Sequence, residues 1–266
     1  MTERRLVAGI DVGSVSAKAV LLAAGEVAAE ATIPTGANSR QASERVLRLA
    51  LERARGDLEE IAAVVATGYG RQAVQLAQRR VTEITCHARG ACHLVADVGT
   101  LIDIGGQDSK VIRISGQGTV GDFVMNDRCA AGTGRFLEVM ARALDVPLAQ
   151  LGQLSQAGRA APISSMCTVF AESEVVSLVA EGVPVAEIVA GLHAAVAERI
   201  FGLVERLGLA PQVVMTGGVA YNTGVVRAIE ERLNCPVVVP PAPHTVGALG
   251  AALIAAELAS ASPSHL

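Results

Sequence analysis

Two segments of the chain carry residue types that suit a bound phosphate and its metal ion. They are Asp11-Val12-Gly13-Ser14-Val15-Ser16 and Asp103-Ile104-Gly105-Gly106-Gln107-Asp108-Ser109. In each segment, a glycine turn between two apolar runs would bring backbone N–H groups close to an anion. Ser14 and Ser16 add hydroxyl donors, and Lys18 adds positive charge. For either segment alone, an ordinary β-hairpin without a ligand is the alternative interpretation.

The two segments are copies of one pattern, separated by 92 residues. This offset pairs Asp11 with Asp103, Gly13 with Gly105 and Lys18 with Lys110. Each copy has an apolar run, a tight turn and a β-branched return run, which predicts a strand, a turn and a return strand. Two such hairpins facing one cleft would hold both ends of a magnesium polyphosphate. The pairing is more specific than either copy alone.

The carboxylates of these turns suit the metal side of such a site. Asp11 is too close to the turn to bind phosphate, so we expect it to hold hydrated Mg²⁺ through the water shell of the ion. Asp103 or Gln107 is expected to position an attacking water. The candidate catalytic residues are therefore Asp11, Asp103 and Gln107. The candidate binding residues in the two turns are Val12, Gly13, Ser14, Val15, Ser16, Lys18, Gly105 and Gly106.

A third glycine turn, Thr216-Gly217-Gly218-Val219-Ala220, follows the apolar run 213–215. The pattern predicts a strand that ends at the turn and a helix over 220–233. A Gly-Gly turn at a helix N-terminus suits a nucleoside or a phosphate, although an ordinary strand-to-helix turn has the same pattern. The candidate binding residues here are Gly217, Gly218, Val219 and Asn222, with His244 expected to face the same nucleotide.

The composition and the missing motifs exclude several other classes of protein. Apolar residues make up 51% of the 266 residues, which excludes a disordered chain, and a net charge of −4 without a basic stripe disfavours nucleic-acid binding. Neither the P-loop nor the dinucleotide-fold glycine pattern occurs. No uncharged apolar run reaches about 18 residues, so no transmembrane helix is expected. Asp11 interrupts the first apolar run too early for a signal peptide, so we expect a cytoplasmic protein.

The order of the predicted elements indicates an α/β protein with two lobes. Each lobe opens with a three-strand meander that includes one of the two hairpins. The predicted boundary gives an N-terminal lobe over 1–98 and a C-terminal lobe over 99–266. The second lobe contains the long helices, among them one predicted over 129–144.

Five cysteines lie at positions 86, 92, 129, 167 and 235. The odd number and the absence of any Cys-x-x-Cys pair disfavour a disulfide framework in a chain of this length. Any chemistry of these thiols must be assembled from positions that are far apart in the sequence.

The three glycine motifs, in this order, resemble those of the actin–hexokinase–Hsp70 ATPase superfamily. Two longer signatures narrow the resemblance, one over 124–138 around Cys129 and one over 164–175 around Cys167. Together they are similar to the activators of 2-hydroxyacyl-CoA dehydratases and to the related ATPase subunits of benzoyl-CoA reductase. The resemblance extends from Gly9 to Leu253.

This resemblance implies a two-lobed actin-like (ribonuclease H-like) ATPase that binds ATP and Mg²⁺ and donates one electron at a time. It also implies that Cys129 and Cys167 are ligands of one 4Fe–4S cluster shared by a dimer. Two thiolates per chain cannot complete a four-cysteine cluster, whereas a symmetric dimer supplies four. Cys129 is expected just before a helix whose N-terminal dipole would favour the charge of a reduced cluster. Thr133 and Gly134 are expected near the nucleotide.

The resemblance further implies partners. A reduced ferredoxin or flavodoxin would supply the electron, and a separate dehydratase or reductase component would receive it. A free activator and a reductase subunit remain open, as do a homodimer and a pair of paralogues. Two more distant alternatives are a small-molecule kinase of the same superfamily and a non-catalytic regulator that depends on nucleotide. The acyl-CoA substrate of the partner is not identified by the sequence.

Overall fold

The computed structural model describes residues 5–116, 118–157, 159–164 and 167–261. These residues group into two compact units. The first unit comprises the chain up to Asp97 together with 114–120 and the segment from His244 onward, and the second comprises 98–113 and 121–243.

The first unit is a five-stranded sheet with helices packed against it. Its strands are β1 (Leu6–Val12), β2 (Ser16–Ala23), β3 (Glu26–Pro34), β4 (Ile61–Thr67) and β5 (Arg79–Arg80), and its helices are α1 (Ser39–Ala54), α2 (Glu83–Leu94) and α8 (Val246–Ala261). Alternate residues of the buried strand β1 join different clusters: Ile10 packs with residues of α1, whereas Val7 packs with residues of α8. This is the alternation expected of a strand with both faces covered.

The second unit repeats this sheet and carries more helix. Its strands are β6 (Thr100–Ile104), β7 (Ser109–Ser115), β8 (Thr119–Asn126), β9 (Val213–Thr216) and β10 (Val237–Val238). Its helices are α3 (Gly134–Ala143), α4 (Leu151–Leu154), α5 (Thr168–Ala180), α6 (Val185–Leu207) and α7 (Thr223–Leu233). One apolar cluster joins the sheet to α3, α6 and α7, with Ile102, Met140, Leu192 and Ile229 among its fully buried members.

The two sheets have the same topology. The strand orders are β3-β2-β1-β4-β5 in the first sheet and, read from its opposite edge, β8-β7-β6-β9-β10 in the second. Each strand of the first sheet therefore corresponds to the strand at the same place in the second. In each, the first strand pairs antiparallel with the second and parallel with the fourth. The predicted duplication of the hairpins is confirmed, and it extends to the whole sheet.

The C-terminal helix α8 packs with the first unit, although the predicted boundary puts it in the second lobe. Its contacts explain the difference. A side chain at Gly9 would overlap backbone atoms of Ala248 and Ala252, and one at Gly250 would overlap the backbone of Cys86. These glycines let α8 lie directly on β1 and α2, so the chain returns to its first sheet after completing the second.

Two helices begin later than the sequence pattern predicts. The predicted helix over 129–144 begins at Gly134, because 127–133 forms a loop in which the Asn126 side chain donates hydrogen bonds to the carbonyls of Cys129 and Ala131. The predicted helix over 220–233 begins at Thr223, after a short 3₁₀ turn. Within the described ranges, no helix is long and apolar enough to cross a membrane.

Candidate functional site

The first hairpin turn connects β1 and β2 and is closed by a hydrogen bond from the Gly13 N–H to the Ser16 carbonyl, at 3.0 Å. Asp11 and Lys18 lie opposite each other in the register, and Lys18 Nζ is 3.2 Å from Asp11 Oδ2. Asp11 is 4% exposed, whereas Ser14 and Val15 at the tip of the turn are exposed. The lysine predicted to face phosphate therefore also neutralises the predicted metal-side carboxylate.

The second hairpin repeats this arrangement with one more carboxylate. Gly105 donates to the Asp108 carbonyl at 2.9 Å, which is the same turn at the same offset. Lys110 is 2% exposed, and its Nζ lies 3.2 Å from Asp103 Oδ2 and 2.6 Å from Asp108 Oδ2. Two carboxylates and one ammonium leave this buried cluster one negative charge in excess when all three are ionised, which suits a divalent cation nearby. Gln107 is exposed at the tip of the turn.

In each sheet, a threonine at the end of the neighbouring parallel strand lies beside the first aspartate of the hairpin. Thr216 Oγ1 donates to Asp103 Oδ1 at 3.0 Å, and the register places Thr67 against Asp11 in the corresponding position. The next residues, Gly68 and Gly217, both have a positive φ. Thr67, Gly68 and Asp108 were not among the predicted site residues. The signal was present as an apolar strand ending in Thr-Gly in both halves.

The third glycine turn is held close to the second hairpin. A side chain at Gly217 would overlap the Ile104 carbonyl and approach Asp103 Oδ1, whereas a Cβ at Gly218 would meet nothing within 4 Å. Gly217 also donates to the Pro243 carbonyl at 2.9 Å. The backbone at Gly217 is therefore fixed, and the space beside Gly218 is open to a ligand.

Asn222 has a structural role in this segment. Its Oδ1 accepts hydrogen bonds from the N–H groups of Gly224 and Val225 at 3.1 and 3.2 Å and caps α7. Its Nδ2 lies 3.2 Å from Nε2 of His193, which is 1% exposed. Because Nδ2 is a donor, His193 Nε2 accepts and the imidazole is neutral. Burial lowers the pKa of His193 to about 4.

Thr133 and Gly134 connect the second hairpin to the loop over 127–133 that carries Cys129, here called the cysteine loop. The N–H groups of Gly134 and Arg135 donate to the carbonyls of Gly105 and Gly106, at 2.9 and 2.8 Å. The Thr133 hydroxyl donates to the Ala130 carbonyl at 2.6 Å, and the residue is 1% exposed. A direct contact between this hydroxyl and a nucleotide stays a prediction, while the backbone attachment to the turn is part of the fold.

The two cysteines of the signatures differ in exposure and in position relative to their helices. Cys129 is half-buried and lies five residues before α3, so the prediction that it directly precedes a helix is wrong. Cys167 is exposed and is the N-cap residue of α5. Burial raises the pKa values of the remaining thiols, Cys92 and Cys235 among them, and raises that of Cys86 to about 12.

The donor set limits which metal site the chain can build. Across the residues that the structure describes, no group of three or more His, Cys, Asp or Glu side chains is arranged to hold a metal ion. Cys129 and Cys167 are free thiols. Since a 4Fe–4S cluster needs four thiolates, these residues fit it only if a second chain supplies the other two.

The segment that begins with Cys167 presents apolar side chains to solvent. Val169 and Phe170 in the first turn of α5 are 66% and 67% exposed, and Val176 and Val179 are 55% and 46% exposed. Only Ala171 and Val175 of this helix are buried. Several large apolar side chains exposed on one helix are typical of an interaction surface.

His244 lies at the start of the segment that returns to the first unit. Its Nε2 is 3.1 Å from Thr32 Oγ1, and the residue is half-buried. Burial lowers the pKa of His244, with Glu30 raising it and Lys18 lowering it. The structure thus places His244 near Lys18 of the first hairpin, and its contact with nucleotide stays a prediction.

Comparison with known proteins gives consistent matches over nearly the whole chain. The profile of the BadF/BadG/BcrA/BcrD ATPase family matches residues 8–255. The chain is 52% identical over 255 residues to the activator of lactoyl-CoA dehydratase from Anaerotignum propionicum, which covers 94% of this chain and 97% of that protein.

Two solved structures are closely similar. The activator of 2-hydroxyisocaproyl-CoA dehydratase from Clostridium difficile with bound ADPNP gives a TM-score of 0.94 at 43% identity, covering 98% of each chain. Component A of the (R)-2-hydroxyglutaryl-CoA dehydratase from Acidaminococcus fermentans gives a TM-score of 0.93 at 44% identity, covering 96% of this chain and 99% of that one.

More distant matches concern the two alternative functions, a benzoyl-CoA reductase subunit and a small-molecule kinase. A benzoyl-CoA reductase subunit from Thauera aromatica is 33% identical over 263 residues, covering 93% of this chain and 92% of that protein. A ROK hexokinase from Thermus thermophilus has a TM-score of 0.53 at 16% identity, covering 97% of this chain and all of that one, which shows the fold alone. The predicted α/β fold of the actin-like ATPases and kinases is confirmed.

Proposed function

The chain belongs to the BadF/BadG/BcrA/BcrD ATPase family, and on that premise we propose that it is an ATP-dependent activator that delivers one electron to a 2-hydroxyacyl-CoA dehydratase component. Relatives that are 43–52% identical carry that name or are components of such dehydratases. One electron enters from a reduced ferredoxin or flavodoxin, ATP and water become ADP and phosphate, and the electron leaves to the dehydratase component.

The observation that carries the proposal is the direct attachment of the Cys129 loop to the second hairpin turn. The first amides of α3 donate to the carbonyls of Gly105 and Gly106, and the loop that carries Cys129 ends where α3 begins. A nucleotide-dependent shift of that turn would therefore move the start of α3 and the cysteine loop with it. This supports a coupling between ATP hydrolysis and the environment of Cys129.

In this proposal the two hairpins and the third glycine turn bind Mg-ATP. Asp11 holds the hydration shell of the ion, and the N–H groups of the second turn that follow Gly105 face phosphate. Both oxygens of Asp103 already accept from Thr216 or pair with Lys110, so we assign the positioning of the attacking water to Gln107. The nucleoside occupies the open space beside Gly218.

We assign Cys129 and Cys167 as the two ligands that each chain contributes to one 4Fe–4S cluster on a dimer axis. Such a cluster supplies a one-electron carrier when bound. The exposed apolar face of α5 begins directly after Cys167, which supports a second copy of this chain as the partner there. Cys129 is positioned by Asn126, whose Nδ2 lies 2.9 Å from the Cys129 carbonyl oxygen.

Anaerobic purification with iron and acid-labile sulfide analysis tests the cluster assignment. We expect about four irons per dimer and a broad absorbance that bleaches on reduction. A protein that stays free of iron after anaerobic reconstitution would contradict the proposal and favour a kinase or a regulator.

The Cys129→Ala variant tests the ligand assignment, with Cys235→Ala as the matched control. Both residues are half-buried cysteines. We expect Cys129→Ala to lose the cluster while binding of ATP, followed by calorimetry, is largely retained. Cys235→Ala should keep both. Full iron content and electron transfer in Cys129→Ala would show that the assignment is wrong.

Membership of a benzoyl-CoA reductase complex is the second candidate, favoured by the 33% identity with the Thauera aromatica protein. The two functions differ in the acceptor of the electron. Mixing the reduced protein and ATP with a dehydratase component or with the remaining reductase subunits distinguishes them, since only the cognate component is reduced. ADP formation that depends on an added sugar would instead indicate a kinase.

A further inference from the structure

Arg199 of α6 contacts Cys129 within the second unit. Its Nη2 lies 3.9 Å from the Cys129 Sγ, within hydrogen-bonding distance of a sulfur acceptor. The guanidinium is always charged and donates from five N–H groups. Arg199 is half-buried, so its charge is less screened by water than that of a surface arginine.

The cysteine loop is shaped to admit this side chain. Gly132 has a φ of +82°, and a Cβ there would lie 2.8 Å from Arg199 Cγ and 3.3 Å from Arg199 Cβ. A side chain at position 132 would therefore displace the arginine stem. On the other side of the loop, Asn126 holds the Cys129 and Ala131 carbonyls. The approach of Arg199 to the sulfur is thus set by the loop backbone and by a helix of 23 residues.

We propose that Arg199 sets the reduction potential of the cluster bound through Cys129, an inference that rests on the proposed function. A positive charge and an N–H donor beside a ligand sulfur stabilise the reduced cluster, which carries one more electron and hence more negative charge. Arg199 therefore raises the potential and makes the cluster easier to reduce by the electron-donor protein, which loses one electron in the same step. Arg199 acts on the cluster through the Cys129 sulfur and is therefore a positioning residue.

Anaerobic potentiometric titration of the purified protein, followed by electron paramagnetic resonance and without any dehydratase present, measures this effect. The test variant is Arg199→Gln. The control is Arg206→Gln, which removes the same charge from the last turn of the same helix, about 10 Å further along its axis. At the wild-type midpoint, we expect the ratio of reduced to oxidised cluster to fall at least tenfold in Arg199→Gln, a shift of about 59 mV for one electron. Arg206→Gln should stay near wild type.

Equal potentials for Arg199→Gln and Arg206→Gln would overturn the inference. If Arg199→Gln fails to retain iron, Arg199→Lys decides: iron retained by the lysine variant supports a requirement for positive charge beside Cys129. Loss of iron from the lysine variant as well would show that the shape of arginine and not its charge is needed, and would overturn the inference. A wild-type protein that binds no iron would instead refute the proposed function itself.

Discussion

At the residue scale, the site is built from buried carboxylates paired with lysines inside each hairpin. The pairs Asp11–Lys18 and Asp103–Lys110 have the same register and the same 3.2 Å separation. They differ in that Lys110 also pairs with Asp108 and is more deeply buried. Equivalent positions of the duplicated sheet therefore offer matched variants with different expected costs.

Lys110→Met should destabilise the protein more than Lys18→Met. The first change leaves two buried carboxylates without their ammonium partner, which costs about 3–5 kcal/mol. The second leaves one carboxylate, Asp11, at a site where the lysine side chain is 13% exposed, so the cost should be smaller. Urea unfolding of both variants measures the difference. Equal losses of stability would show that the additional pair between Lys110 and Asp108 does not raise the cost of losing the lysine.

The stability of the protein should depend on pH through His193. Its folded-state pKa is lowered to about 4 by burial, whereas in the unfolded chain it is about 6.5. The unfolded state therefore binds more protons between these values, and the contribution to the free energy of unfolding is complete above pH 6.5 and lost as pH falls towards 4. The loss amounts to about 3 kcal/mol at most.

The His193→Leu variant isolates this contribution. It removes the titrating group and fills a similar volume, so the stability difference between pH 7 and pH 4.5 should be smaller than in the wild type. Urea unfolding at the two pH values gives both differences. Identical differences in the two proteins would show that His193 is protonated as readily in the folded state as in the unfolded chain.

At the element scale, short backbone contacts connect the second hairpin to the start of α3 and to the third glycine turn. The first residues of α3 bond to the second hairpin turn, and the Gly217 turn lies against Ile104 at the end of β6. In both places the contact is made by backbone atoms, and at Gly217 it depends on the absence of a side chain.

Gly217→Ala and Gly218→Ala should separate folding from nucleotide binding. An alanine at 217 needs a positive φ and overlaps the Ile104 carbonyl, so thermal unfolding should shift to lower temperature and ATP binding should be lost. At 218 a Cβ meets nothing within 4 Å, so the fold should be unchanged. If ATP occupies that open space, its affinity should fall about tenfold or more through the lost approach to the backbone.

Calorimetric titration with ATP and a thermal melt on the two variants give both readouts. Gly218→Ala with wild-type ATP affinity would place the nucleoside elsewhere. Gly217→Ala with a wild-type melting temperature would contradict the close packing of this turn.

At the scale of the whole molecule, the chain returns to its first unit after completing the second. Helix α8 lies on β1 and α2 through small residues, with Gly9, Gly90 and Gly250 at the closest approaches. Residues near both ends of the sequence are therefore needed for one core, which includes Val7 and Ile254.

Gly250→Ala should destabilise the first unit, whereas Gly202→Ala should not destabilise the protein. A methyl group at 250 overlaps the Cys86 backbone, which cannot move without displacing α2, and the cost should be about 3 kcal/mol. Gly202 lies in α6 with nothing within 4 Å of a Cβ, so alanine should stabilise by about 1 kcal/mol through helix propensity. Chemical denaturation of both variants checks the opposite signs, and a stable Gly250→Ala would contradict the packing of α8.

Features that depend on neighbouring residues could be predicted from the sequence. An apolar run, Asp-x-Gly and a β-branched return specify each hairpin, because turn type and alternation are properties of adjacent positions. The same holds for the glycine turn after β9, whereas the role of Cys129 and Cys167 as cluster ligands stays a prediction. The start of α3 was predicted too early because the Asn126 side chain donates hydrogen bonds to loop carbonyls that a helix would otherwise use. The periodicity of apolar residues does not reveal this competition.

Contacts between residues distant in the chain became known only from the folded structure. Thr216 is 113 residues from the Asp103 it holds, and Arg199 is 70 residues from Cys129. The return of α8 to β1 is of the same kind, since its nearly uniform small apolar sequence fits either unit. Such contacts depend on how whole sheets and helices pack against one another. That packing is decided where backbones approach closely, at positions such as Gly9 and Gly250.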